Sequence, residues 1–193
     1  MAGRRVRVSL PLLDELRRVH REVARRFPHP YLDAGLGAVG LILDKKLDES
    51  RYEGITPANC RTFARTGGEG VHFALMARAN RIDDRSPVVV CIPLLAGQCY
   101  FLGENLFDFL CLGKDCGYFR LEYLGYDLAQ MLDLYTKPKQ PVADPPPADD
   151  AHSRAILAYL SNRLGLVRWG DAERFHALQA RYEATLESPD QPW

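Results

Sequence analysis

The stretch FARTGGEGVHF (Phe63–Phe73) places three glycines, a glutamate and a histidine within eleven residues. A glycine-rich loop can cradle phosphate with its backbone N–H groups, and a carboxylate beside an imidazole can move protons. The phosphate chemistry requires G-x-x-x-x-G-K-[ST] opening into a helix. Here no lysine follows TGGEG, and the next residues alternate as in a strand. Glu69 would also repel an anion. Thr66, Gly67, Gly68 and Glu69 are therefore read as a hairpin turn whose glycines supply positive φ. The competing reading is an enzyme or small-ligand pocket near this turn, using Glu69 and His72.

Other reactive residues give weaker patterns. Cys60 and His72 could meet across the hairpin, but nucleophilic catalysis also needs an orienting group and an oxyanion site. The chain has no G-x-S-x-G elbow. Its five histidines (His20, His29, His72, His152, His176) are scattered, without H-E-x-x-H or a close Cys/His cluster, so no metal is expected. The adjacent carboxylates Asp83 and Asp84 lie in NRIDDRSP, a turn-rich connection, and are read as solvated. No G-x-G-x-x-G follows a strand, and no cofactor is expected. His72 falls opposite Val71, Phe73 and Leu75 in a period-two pattern, which predicts a half-exposed imidazole.

These residues need elements to hold them. Leu12, Leu16, Val19, Val23 and Phe27 recur at helical spacing, with Ser9 as a candidate cap and Pro11 in the first turn. Arg17, Arg18, Arg21 and Arg25 largely occupy the opposite face. The run Ala38–Leu43 reads as a short buried strand, and DKKLDESRYEG as loop. Three strands at hairpin spacing follow: Val71–Met76, Val88–Ile92 and Cys99–Gly103. Leu106, Phe109 and Leu110 then mark a short helix ending at Gly113, and a longer helix is expected from about Tyr118 to Tyr135. The crowd of aromatics between the last strand and that helix, from Tyr100 to Tyr126, reads as core.

The pattern predicts an α+β fold, an antiparallel sheet meander packed by helices. Residues 1–139 form the main domain, 140–150 (QPVADPPPADD) a proline- and acid-rich linker, and 151–193 an appended helical hairpin, with Asp171 a candidate cap for its second helix.

The chain has 193 residues, 47% apolar, with zero net charge. Residues 1–27 carry eight arginines against three acids; this modest excess reads as a solvated face, and nucleic-acid association through Arg17, Arg18, Arg21 and Arg25 stands as an alternative rather than the expected function. No apolar run approaches the ~20 residues of a membrane span. The leucines near the N-terminus are interrupted by Pro11 and end at Asp14, too short for a secretory signal. Five cysteines without a C-x-x-C pair read as reduced thiols, and a cytoplasmic location is expected.

FARTGGEGVHF, VVVCIP (Val88–Pro93) and FLGENLFDFL (Phe101–Leu110) together resemble the SUKH superfamily, the SMI1/KNR4-like proteins, over roughly residues 60–112. In that family a glycine-rich turn precedes a strand, and a late strand leads into a helix of this core pattern. The resemblance implies a non-enzymatic protein-binding module. It is of the kind by which bacterial immunity proteins neutralise toxin domains, often nucleases, through occlusion or charge complementarity. The concave sheet face and its turns are the expected contact surface, with Thr66, Gly67, Gly68, Glu69, His72, Asp83 and Asp84 as the candidate contact residues.

Overall fold

The structure, a computed structural model, describes residues 6–28, 35–95, 98–114, 116–125, 151–169 and 172–189. Its centre is a five-stranded antiparallel sheet built from β2 (Ile42–Leu43), β3 (Cys60–Arg65), β4 (His72–Met76), β6 (Val88–Ile92) and β7 (Gln98–Gly103), adjacent in that order. The expected meander is present. A separate parallel pair joins β1 (Arg7–Ser9) to β5 (Arg81–Asp83), so the turn-rich connection holds a short strand.

Helix α1 (Pro11–Arg26) buries Leu13, Leu16, Val19 and Val23 as one stripe. Ser9 does not cap it, because Ser9 is the last residue of β1, and Leu10 occupies the cap without a side-chain bond. Asp84 does that work from a distance: its Oδ2 accepts the Leu12 N–H at 2.8 Å. Helix α2 (Leu106–Gly113) starts at Asn105, whose side chain accepts the Asp108 N–H at 2.8 Å, a capping bond made three residues on.

One sheet face packs on α2. The Phe109 ring lies 5.7 Å from Phe63, 4.9 Å from Phe73 and 5.2 Å from Tyr118, an edge-and-tilt cluster that adds about 1 kcal/mol per pair beyond area burial. The other face is covered too. The loop over residues 44–59 crosses it, and the buried Asp44 carboxylate accepts from Ser50, from the Thr62 hydroxyl at 3.1 Å and from Arg65 at 3.4 Å. Every residue of β4 and β6 is consequently buried.

Helix α3 (Ala151–Leu164) lies against α1 and a 3-10 helix at Gly35–Val39, and α4 (Ala172–Tyr182) against β7. Tyr159 and Arg163 of α3 both donate to Glu22 of α1, at 2.9 and 3.0 Å. Gln179 of α4 pairs its amide with the edge strand: its Oε1 accepts the Phe101 N–H at 2.9 Å, and its Nε2 donates to the Phe101 carbonyl at 2.8 Å. This blocks a β-edge that would otherwise be open to another strand. Ile156, Leu160, Phe175 and Leu178 share one apolar cluster with Leu16, Phe73 and Phe109.

Two expected elements differ. The run Ala38–Leu43 is not one strand but the end of the Gly35–Val39 helix followed by the two-residue β2. Gly40 separates them at φ +77°, where a methyl group would sit 2.3 Å from the Phe119 backbone nitrogen. After Tyr118 the chain forms a 3-10 helix, Phe119–Gly125. The rest of the expected long helix, the proline-rich linker and Asp171 lie outside the described residues.

Candidate functional site

The TGGEG segment joins β3 to β4, which are antiparallel and in register from Arg65 opposite His72. The Thr66 N–H donates to the Val71 carbonyl at 3.1 Å, and the Val71 N–H to the Gly68 carbonyl at 2.9 Å. Gly67 and Gly70 take φ of +92° and +76°, as a hairpin loop demands. Glu69 also sits in the left-handed region, at φ +47°, a cost of about 1 kcal/mol for a side-chain-bearing residue. The turn thereby holds the Glu69 carboxylate out in solvent.

His72 is fully buried, not half-exposed. Period-two alternation implies a solvated face only for a strand open on one side, whereas β4 is central and the 44–59 loop closes its second face. Ala74 and Met76, both apolar on the His72 side, were the available sequence signal. The His72 Nδ1 lies 2.7 Å from the Gly70 carbonyl, which only accepts, so Nδ1 carries the proton. Its Nε2, 2.9 Å from Thr56 Oγ1, then accepts the hydroxyl hydrogen, and that oxygen accepts the Tyr52 N–H at 2.9 Å. Burial holds the imidazole pKa below its usual value, opposed by the Gly70 bond. Both nitrogens are committed to fastening the turn to the 52–56 loop, which leaves none for a general base. The Cys60–His72 pairing fares no better: burial pushes the Cys60 thiol up to about 12.

Around the turn lies an exposed apolar rim. A methyl group built on Gly70 would meet the Tyr52 ring at 3.1 Å and Pro93 at 3.2 Å, and one on Gly68 would meet Phe119 at 3.4 Å. Tyr52 is 51% exposed and Phe119 37%, and Leu94 and Tyr123, at 63% and 44%, each directly follow a residue that reaches the turn, Pro93 and Glu122. These are four of the six large apolar residues exposed among the described residues; the others, Val8 and Val167, lie elsewhere. Large exposed apolar residues gathered in one place mark interaction surfaces, whereas scattered ones do not.

Two carboxylates sit inside that rim. Glu122 is half-buried, accepts a hydrogen bond from the Thr66 side chain and faces the charge of Glu69. Its pKa rises to about 7, chiefly through burial and secondly through Glu69, against the lowering effect of Thr66. The Thr66 oxygen also accepts the Gly68 N–H at 3.3 Å, so one side chain links turn and acid. Sequence reasoning missed Glu122, Phe119, Tyr123 and Tyr52. Glu122 within an aromatic run assigned to core was the one signal that this run reaches the surface.

Asp83 and Asp84 do not join this group. They lie beyond the opposite end of β4, where Asp83 accepts the Arg85 N–H at 2.9 Å and pairs with Arg81, while Asp84 holds the start of α1. The sheet face is covered and offers no contact surface. On α1, Arg17 bonds Asp14 at 3.2 Å and the Asp44 carbonyl at 3.2 Å, and Arg18 bonds Glu15 at 3.0 Å, consistent with a solvated, locally neutralised face. No group of three metal-ligating side chains occurs among the described residues, and no described helix is long and apolar enough to cross a membrane.

No family model, curated protein or solved structure matches the chain.

Proposed function

We propose that this chain is a protein-binding module of SUKH type, acting as an immunity-like inhibitor in the cytoplasm, whose contact surface is the TGGEG turn with its rim. One observation carries the reading: Tyr52 and Phe119 are exposed against the glycines of a turn that also presents Glu69 and Glu122, and Leu94 and Tyr123 are exposed one residue beyond Pro93 and Glu122, which reach that turn. Apolar anchors around a charged centre suit a partner that brings its own cation between flanking apolar residues. Two facing carboxylates gain from such a cation, because it offsets both the repulsion from Glu69 and the desolvation that burial imposes on the Glu122 charge. A basic toxin domain, nucleases included, has that chemistry. The pocket reading loses support from His72, whose two nitrogens are engaged.

The test is affinity capture from source cells with three baits: the native chain, Glu69→Lys and Leu94→Ala. The reading expects one basic protein on the native bait that is absent or strongly reduced on both variants, each first shown to be folded by circular dichroism. A set of captured proteins unchanged by either substitution overturns it.

A further inference from the structure

Cys91 in β6 and Cys99 in β7 face each other directly in the antiparallel register. Their sulfur atoms are 3.1 Å apart, within hydrogen-bonding reach of each other. Directly opposed residues of such a pair have Cα atoms roughly 4.5–5.5 Å apart, inside the roughly 4.4–6.8 Å span that a disulfide bridges. The backbone therefore already stands where a disulfide would need it. The two sulfurs differ in access. Cys91 is wholly buried, while Cys99 is half-buried and lines a cleft of about 420 Å³ with Ile55, Tyr100, Leu186 and Pro189. The reachable thiol thus has a second thiol directly behind it, an attacking and a resolving position.

We propose that Cys91 and Cys99 form an oxidisable dithiol that a peroxide entering this cleft converts to a cross-strand disulfide. In the first step the Cys99 sulfur, as thiolate, attacks one oxygen of the hydroperoxide. The O–O bond breaks, Cys99 becomes a sulfenic acid, and the leaving oxygen takes up the proton released by the thiol. In the second step the Cys91 sulfur attacks the Cys99 sulfur, the S–O bond breaks, and hydroxide departs with the Cys91 proton as water. Two thiols are oxidised by two electrons to one disulfide, and one peroxide is reduced to water or alcohol plus water. Cys91 is sealed from the cleft, and the hydrogen bond it shares with Cys99, followed by burial, holds its pKa above the usual thiol value, so Cys91 does not react first. Cys60, on the same sheet face, is buried with its thiol held at about 12, and it stays a bystander. The dithiol does not rest on the partner reading, because its parts are the β6–β7 register and the cleft alone.

Hydrogen peroxide is the probe, and peptide mapping of the full chain is the readout. No lysine or arginine lies between Arg85 and Lys114, so trypsin leaves Cys91, Cys99 and Cys111 in one peptide, which chymotrypsin divides at Leu94 or Leu95. After peroxide treatment and alkylation under denaturing conditions, the tryptic peptide is expected to lose two hydrogen masses and to carry one alkyl group, on Cys111. Chymotrypsin is expected to leave the fragment holding Cys91 joined to the fragment holding Cys99 until a reductant is added. In Cys91→Ser, dimedone is expected to trap a sulfenic acid on Cys99, and in Cys99→Ser, Cys91 is expected to remain fully alkylatable. The native-chain map decides the matter even if a variant folds poorly. Independent alkylation of Cys91 and Cys99 after peroxide, over-oxidation of Cys99 without a crosslink, or a crosslink to Cys60 instead overturns the proposal.

Discussion

Replacing Glu122 by Gln isolates the acid that the turn presses upon. Folding raises the Glu122 pKa from 4.5 to about 7, first through burial and then through Glu69. The folded state therefore holds this proton more tightly than the unfolded chain. That stabilisation is complete below about pH 4.5 and is lost as pH rises to about 7, above which it is flat. At about 1.4 kcal/mol per pKa unit the ceiling is about 3 kcal/mol. Glu122 keeps contact with water, so screening reduces the effect to about 1–2 kcal/mol. Glu122→Gln keeps an acceptor for Thr66 and removes the charge. Urea unfolding followed by tryptophan fluorescence between about pH 4.5 and about pH 8 should show the two proteins close together at the acid end. At the alkaline end the variant should be more stable by about 1–2 kcal/mol. In Glu69→Gln the transition should move down only in part, since burial remains. Parallel curves for native and Glu122→Gln proteins across the whole range would refute the reasoning.

His72→Phe removes the partners of Thr56 and Gly70 and should cost about 1–3 kcal/mol in urea unfolding. Because burial lowers the His72 pKa, the native protein should lose stability as pH falls below about 6.5, and the variant should lack that component. Gln179→Ala leaves the Phe101 N–H and carbonyl without their partner and should cost about 1–3 kcal/mol. It should also increase association through the uncovered β7 edge, measurable by light scattering.

Local signals in the sequence carried most of the fold. The α1 stripe, the hairpin glycines and the change from strand to helix after Gly103 each depend on neighbours a few residues apart, and each is present. What was illegible depends on distant segments. His72 is buried because the 44–59 loop closes over β4; apolar Ala74 and Met76 beside it signal a covered face, but nothing near His72 encodes which segment covers it. Ala38–Leu43 has the composition of a strand, but the Phe119 backbone pressing on Gly40 breaks it. The start of α1 is held by Asp84, so Ser9, correctly placed by sequence spacing, is drawn into β1 instead. The candidate site was half legible. TGGEG stood out as a turn, whereas Glu122 reaches it only through the 3-10 helix after Tyr118, and the aromatics there divide between core and surface by a single helical turn.

The affinity of the captured partner for rim variants tests the central claim most directly. Leu94→Ala and Tyr52→Ala remove exposed anchors beside the turn, and Val167→Ala removes an equally exposed residue away from it. Titration calorimetry on folded proteins is expected to show at least one rim variant weakened by about 30-fold or more, the loss of about 2 kcal/mol that defines an interface anchor. Val167→Ala should bind as the native chain does. Equal affinity for all four proteins, or a loss confined to Val167→Ala, would contradict a partner surface at the TGGEG turn.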